Sequence, residues 1–341
     1  MIVSTDSALT IVDLDSPAAP PNERDSFSGV VVAVCSGTLP PGSIADAWAQ
    51  RASFTITDTA SDDARLIRVD SVDDTLEHIR ETVAASPTAA QVCDDVLRAN
   101  LPGTGTRQGL TTESLAYSTL QAGPEFSRWL AGKGRCVRHE QDDAVLLDRV
   151  GDAVTITFNR PDRHNAFSNA LRAGLIDGLH TVLADESITS VVFTGHGRSF
   201  CSGGDLVEFG LLIDPADAHL ARTRYSPALL LDAVRERLGA RFRADIHGAV
   251  LGSGLEMAAY CGTVVAHPDT VFGLPELGLG LIPGAGGTVS IPRRIGRWRT
   301  SYLALSGLRI DAETALAWGL VDRVADIEPA SPITSRRQAF A

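Results

Sequence analysis

IHGAVLGSGLEMAAYCGTVVAHPDTVFGLPELGLGLIPGAGGT, residues 246–288, decides how this chain is read. Two carboxylates lie in it: Glu256, in Gly252-Ser253-Gly254-Leu255-Glu256, and Glu276, at the end of Phe272-Gly273-Leu274-Pro275-Glu276. Each follows a glycine-bearing turn, and each is surrounded by apolar residues. Two acids in a dry pocket beside exposed backbone amides suit the movement of protons next to a carbonyl whose developing charge must be stabilised. Burial would raise the pKa of Glu276 and leave a usable acid near neutral pH. A plainer reading competes for each. Ser253-Gly254-Leu255-Glu256 also fits a capping box, in which both side chains only satisfy helix-start amides, and Glu276 could be a salt-bridge partner.

Outward from this stretch, the texture from about residue 140 is strand, strand, helix, repeated. AVLLDRV and AVTITFN read as strands, Asn169 to Ala184 as a helix and SVVFTG at 190–195 as a strand. A helix is expected after Phe200-Cys201-Ser202-Gly203-Gly204-Asp205, another at about 225–239, and one opening at Gly284-Ala285-Gly286-Gly287 after strands TVVAH and TVFGL. Such alternation predicts a layered α/β domain with crossover connections. The glycine-rich segments fail as phosphate loops: GAGGTV lacks the Gly-Lys-Ser/Thr ending and the dinucleotide spacing. Neither a G-x-S-x-G elbow nor an HExxH motif occurs. Cys201 and Ser202 have no histidine in evident relation to them, which favours packing over nucleophilic roles, and His164 reads as a turn or surface histidine.

Toward the N-terminus, residues 1–29 are expected to be a flexible lead-in, rich in Pro, Asp and Ser from 13 onward. A small α/β or mostly helical domain is expected over 30–139, followed by the catalytic domain over 140–341. VVVAV at 30–34 and RLIRV at 65–69 read as strands, and Ser43 to Ala52 as a helix. Val72 to Ala85 and Thr88 to Asn100 read as an antiparallel helix pair, with Pro87 in a first turn. LPGTGTRQGL at 101–110 reads as a linker before helices at Thr112 to Leu120 and Pro124 to Leu130. These first 139 residues carry no chemical motif, so a cap or interface is expected of them. With a net charge of -12, 44% apolar and 21% charged residues, the chain is globular and has no basic footprint for nucleic acid. Five scattered cysteines without metal-type spacing point to a reducing cytoplasm, and no leader or run of about eighteen apolar residues is found. A metal is not expected, nor a membrane partner.

From about Leu146 to Val324 the sequence resembles the crotonase, or enoyl-CoA hydratase/isomerase, superfamily. NRPDRHNAF (159–167), SFCSGGDL (199–206), HGAVLGSGLEMAAYCG (247–262) and FGLPELGLGLIPGAGGT (272–288) match its motifs in order and spacing. The resemblance implies an α/β crotonase-like spiral of strand-strand-helix turns that takes an acyl-CoA thioester. It implies that the amides of Gly204 and Ser253 polarise the thioester carbonyl, that Glu256 activates water and that Glu276 exchanges the α-proton. That is a hydratase-type lyase. A Δ3,Δ2-enoyl-CoA isomerase or another CoA-thioester enzyme is the nearest alternative, and a non-catalytic acyl-CoA-binding scaffold is a second class. It also implies Ala166 and Ser202 beside the CoA adenine, Arg163 and Arg198 as phosphate partners, no cofactor beyond CoA in the substrate, and a trimer or hexamer. Family members usually continue past the segment resembling Gly319-Leu320-Val321-Asp322 into helices that cover CoA; here the chain ends at Ala341 and about 140 residues precede the match. Gly262 stands where an aspartate is usual. The N-terminal helices are therefore expected to supply cover or an interface.

Overall fold

A computed structural model describes residues 2–5, 8–17, 29–37, 39–100, 103–134 and 143–327. Cys136 and the junction at 135–142 lie outside the described residues. The described residues fold as two α/β parts, the first built on a five-stranded sheet and the second on a six-stranded sheet with a two-stranded layer beside it. The first sheet has the order β1 (Ile2–Thr5), β2 (Leu9–Asp13), β3 (Val30–Val34), β4 (Phe54–Thr57) and β5 (Leu66–Arg68). Only β1–β2 is antiparallel. The expectation of a flexible lead-in over 1–29 is corrected for its first half, where β1 and β2 are strands and Leu9, Ile11 and Val12 are buried; residues 18–28 of that stretch lie outside the described residues. β2 lies parallel to β3, so the apolar alternation of LTIVD finds its ladder in a neighbour beyond the Pro-rich segment. β4, read from the sequence as no element at all, is the buried strand between β3 and β5.

Five helices complete this part: α1 (Ile44–Arg51), α2 (Val72–Ala85), α3 (Pro87–Ala99), α4 (Thr106–Gln121) and α5 (Pro124–Gly132). Ser43 and Ser71 cap α1 and α2, each accepting from the amide three residues on, worth about 1 kcal/mol apiece. α4 begins within the segment expected to be a linker. Its N-cap is Gly105, which has no side chain to signal a start.

The second part opens with β6 (Val145–Val150) and β7 (Ala153–Phe158), then α6 (Asn169–Ala184) and β8 (Ser190–Gly195). The helix expected after Asp205 is only a short 3-10 turn at Leu206–Glu208; α7 (Pro215–Tyr225) and α8 (Ala228–Leu238) follow. Then come β9 (Phe242–Ile246), β10 (Ala249–Leu251), α9 (Ser253–Ala258), β11 (Thr263–Ala266), β12 (Val271–Gly273), α10 (Gly287–Ser306), α11 (Ala312–Trp318) and β13 (Arg323–Val324). The main sheet runs β13-β11-β9-β8-β7-β6, parallel except for β6–β7, while β10 and β12 pair in a second short layer. Two successive passes, β9-β10-α9 and β11-β12-α10, each place one strand in the large sheet and one in the small layer before a helix, and the loop after β8 joins the small layer through the bridge between Cys201 and Val250. α6 shows why it packs: Leu171, Leu175, Leu179 and Val182 recur on one face and are fully buried.

The two parts share one apolar core, which runs from Ile11, Phe54 and Ile79 through Val96 to Ile156, Leu255 and Leu303. Helix α10 is the axle. Its Arg297 donates to the Ala52 carbonyl at 3.0 Å, His78 Nε2 meets the Ser306 carbonyl at 2.9 Å, and Asn100 Nδ2 donates to the Thr288 carbonyl at 3.2 Å. Gly262 has a steric reason for carrying no side chain: a Cβ there would lie 1.9 Å from the Gly239 carbonyl oxygen.

Candidate active site

The loop after β8 and the turn after β10 are laid side by side by backbone pairing. Cys201 N–H donates to the Ala249 carbonyl (3.2 Å) and Leu251 N–H to the Cys201 carbonyl (3.0 Å), which carries Gly204 and Ser253 to the ends of adjacent segments. The NRPDRHNAF segment braces this loop from behind. Asn165, fully buried with φ +52°, accepts from Arg160 N–H (2.7 Å) and donates to the carbonyls of His196 (2.9 Å) and Ser199 (2.8 Å). Arg160 in turn forms a buried ion pair with Asp205 at 3.0 Å. Asn165 and Arg160 are thus fasteners of the Gly204 loop.

Gly204, Ser253, Glu256 and Glu276 line one cavity of about 230 Å3. Gly284 and Ala285 form part of its wall, and Leu211 and Leu212 give it a partly exposed apolar rim. Ser253 opens α9, where an N–H has no intrahelical partner. Among the described residues neither the Ser253 nor the Gly204 amide N–H is paired with a backbone acceptor. Gly252, in the turn before, has φ +47°, and a Cβ on it would meet Glu276 Oε1 at 2.4 Å. Only glycine lets the acid approach the turn this closely.

The capping-box alternative fails. The N-cap of α9 is Gly252 without a side-chain cap, and Glu256 points away from its own helix. Glu256 Oε2 accepts from the amides of Ala285 and Gly287, each at 2.7 Å, and the side chain is 1% exposed. Burial, then the charges of Glu276 and Glu113, push its pKa well above the ordinary range, opposed by those two amides. Glu276 has no ion pair among the described residues, and its Oε2 is buried without a hydrogen-bond partner. Burial and the Glu113 charge push Glu276 up to about 7. The arrangement can hold a proton between neighbouring acids near neutral pH. Among the described residues no three His, Cys, Asp or Glu side chains are grouped to hold a metal ion.

The other residues singled out from the sequence stand apart from this cavity. Arg163 and Arg198 are exposed on turns and line none of it. Ala166 has its N–H and carbonyl engaged with Arg163 (3.0 Å) and Arg160 (2.6 Å), and Ser202 N–H donates to the His164 carbonyl (3.0 Å). His164 is an exposed left-handed turn residue, and Cys201 is a buried packing thiol pushed up to about 12 by burial.

Sequence reasoning missed the contribution of α4. Tyr117 and Gln121 line the cavity, with the Tyr117 ring packed against Gly284 and the Arg222 guanidinium 4.3 Å from its centre. Arg172 and Asn169, at the start of α6, complete its polar side. The first 139 residues thus do carry site residues. Their only sequence signal was a Glu and a Tyr one helical turn apart, too common to single out.

A spiral α/β domain with two acids and two backbone donors around one cavity defines a class suited to acid–base chemistry beside a carbonyl. The family model described as enoyl-CoA hydratase/isomerase matches residues 150–329, about half of the chain, and the chain belongs to that family of enzymes. It is 37% identical over 187 residues to the Escherichia coli 2,3-dehydroadipyl-CoA hydratase, covering 53% of this chain and 68% of the relative. It is 34% identical over 188 residues to the Escherichia coli 1,2-epoxyphenylacetyl-CoA isomerase, covering 54% of this chain and 70% of that one. Against three curated relatives the chain spans 68%, 64% and 62% of the relative's own length, about two thirds. The crystal structure of an enoyl-CoA hydratase/isomerase assigned in Mycobacterium abscessus superposes with a TM-score of 0.50 at 31% identity, over 54% of this chain and 71% of that chain. Glu113, Tyr117 and Gln121 lie outside the matched segment.

Proposed function

We propose that the protein adds water across the 2,3 double bond of an enoyl-CoA thioester. The observation that carries this reading is the placement of Glu256, Glu276 and the amides of Gly204 and Ser253 around one cavity. The thioester oxygen takes the two N–H groups, which stabilise the enolate charge that forms as the β-carbon is attacked. Glu256 Oε1, left over from the carboxylate whose Oε2 is tied to the turn, holds the water and takes its proton as the oxygen bonds to the β-carbon. Glu276, with its unpartnered oxygen, delivers a proton to the α-carbon. One O–H and one π bond are broken and C–O and C–H bonds form; the proton then returns from Glu256 to Glu276. The reaction needs no metal or redox cofactor.

For CoA, the exposed cations Arg163 and Arg198 are proposed phosphate partners, with the adenine beside Ala166 and Ser202. A homo-oligomer and a reducing, cytoplasmic setting are part of the same reading. Among the described residues no helix is long and apolar enough to cross a membrane, and the four described cysteines are free and buried. Double-bond isomerisation is the second reading, because the matching family model is described as enoyl-CoA hydratase/isomerase and one acid, Glu276, suffices to move an α-proton. Loss of enone absorbance on mixing the protein with crotonyl-CoA tests the hydratase reading. It is rejected if no 2-enoyl thioester is hydrated, or if Glu256→Gln and Glu276→Gln together leave the rate intact.

A further inference from the structure

The turn that leads into helix α10 has four amides in a row that divide alternately between two carboxylates. Ala285 and Gly287 donate to Glu256 Oε2, each at 2.7 Å. Gly286 donates to Glu113 Oε1 at 2.8 Å, and Thr288 N–H to Glu113 Oε2 at 3.0 Å. Successive amides of this turn thus go to different carboxylates, so both acids are held by one short stretch of backbone. Glu113 is 2% exposed and comes from α4, outside the segment that carries the family match. The Thr288 hydroxyl donates to Glu113 Oε2 at 2.7 Å while accepting from Asn100 Nδ2 at 3.1 Å. All partners of the second carboxylate are therefore supplied by the turn itself or by side chains bound to it.

We infer that Glu113 is a positioning residue of the acid–base site: by holding the even-numbered amides of the Ala285–Thr288 turn, it fixes where the odd-numbered amides hold Glu256. A helix start has unpaired N–H groups and a partial positive charge, so it accommodates one carboxylate readily. Here it is shared by two buried ones, and each disfavours ionisation of the other. The groups facing Glu113 are Glu256 from α9, Glu276 from the 3-10 turn at Glu276–Leu279, Arg222 from α7, Cys93 from α3, Tyr260 and, on its own helix, Tyr117. Burial raises Glu113 to about 7, opposed by Thr288, Gly286 and Arg222. Its charge is among the causes that raise Glu256 and Glu276. The N-terminal part thus enters the chemistry through the backbone of one turn.

The inference rests on the acid–base reading above, and Glu113→Gln tests it. The amide offers one acceptor where the turn needs two, and its NH2 group faces an N–H. The pH profile of kcat/KM should move to lower pH by about one unit, with kcat falling at least about tenfold at neutral pH and KM little changed. A profile that keeps its midpoints and only scales down would show a merely structural role and overturn the inference. A turnover-independent readout separates the two levels: the Glu256 carboxyl carbon, followed by NMR in protein with 13C-labelled glutamate side chains, should titrate at lower pH in Glu113→Gln than in the wild type. A wild type that hydrates nothing would reject the proposed function, and this titration would then decide the inference alone, an unmoved midpoint overturning it. Should Glu113→Gln not fold, the same carbon in Glu276→Gln protein must show a second inflection, which Glu113 supplies. Its absence would overturn the inference.

Discussion

Glu256 is replaced in two ways whose contrast is fixed by its hydrogen bonds. In Glu256→Gln the amide oxygen can take the place of Oε2 and accept from Ala285 and Gly287, while the NH2 group replaces Oε1. The turn stays anchored and stability should change by no more than about 1 kcal/mol. The base is gone, however, so the hydration rate should fall about 10²- to 10⁴-fold, a barrier increase of about 2.7–5.4 kcal/mol at 1.36 kcal/mol per decade. In Glu256→Ala both N–H groups lose their acceptor in a buried site. At about 1–3 kcal/mol each that is about 2–6 kcal/mol, a large part of the stability of an ordinary domain. Crotonyl-CoA hydration read against denaturant unfolding separates the two effects: Gln inactive but stable, Ala inactive and unstable. A Gln variant within tenfold of the wild-type rate, or an Ala variant as stable as the wild type, would refute the reasoning.

Ser253→Pro deletes one donor at a first-turn position, where proline is tolerated in a helix. The rate should drop about 10²- to 10³-fold with an unchanged unfolding midpoint. Arg160→Met leaves Asp205 charged and buried, so unfolding should occur about 3–5 kcal/mol earlier, with partial recovery on adding Asp205→Asn. Stability should also fall with rising pH. Glu113, Glu256 and Glu276 all bind protons more tightly in the folded state. The stability they confer is full below their unfolded pKa near 4.5 and is lost as pH rises through about 7. Denaturant midpoints across that window check it, and Glu276→Gln should flatten the slope.

What the sequence made legible was local. Glu256 and Glu276 stand out because each is an acid a few residues from a glycine turn in an apolar run, and the repeat of strand, strand and helix followed from periodicity alone. Glu113 was hidden because its partners, Gly286 and Thr288, lie far along the chain, and because α4 starts on a glycine inside a segment that reads as linker. β2 was hidden by the Asp- and Pro-rich stretch after it, since strand pairing with β3 is a long-range fact. The capping box was ambiguous for a related reason. Spacing shows which helix start Glu256 could reach, whereas the side chain reaches the start of a different helix. Arg163 and Arg198 enter through the resemblance, and a motif's place in the chain says nothing of where an exposed side chain points.

The most direct test is the infrared carbonyl band of an enoyl-CoA thioester bound to the protein. Two N–H donors converging on the thioester oxygen predict a band shifted to lower wavenumber than in water, with most of the shift lost in Ser253→Pro. A bound thioester whose carbonyl absorbs as it does in solution, or whose shift survives Ser253→Pro, would contradict the account.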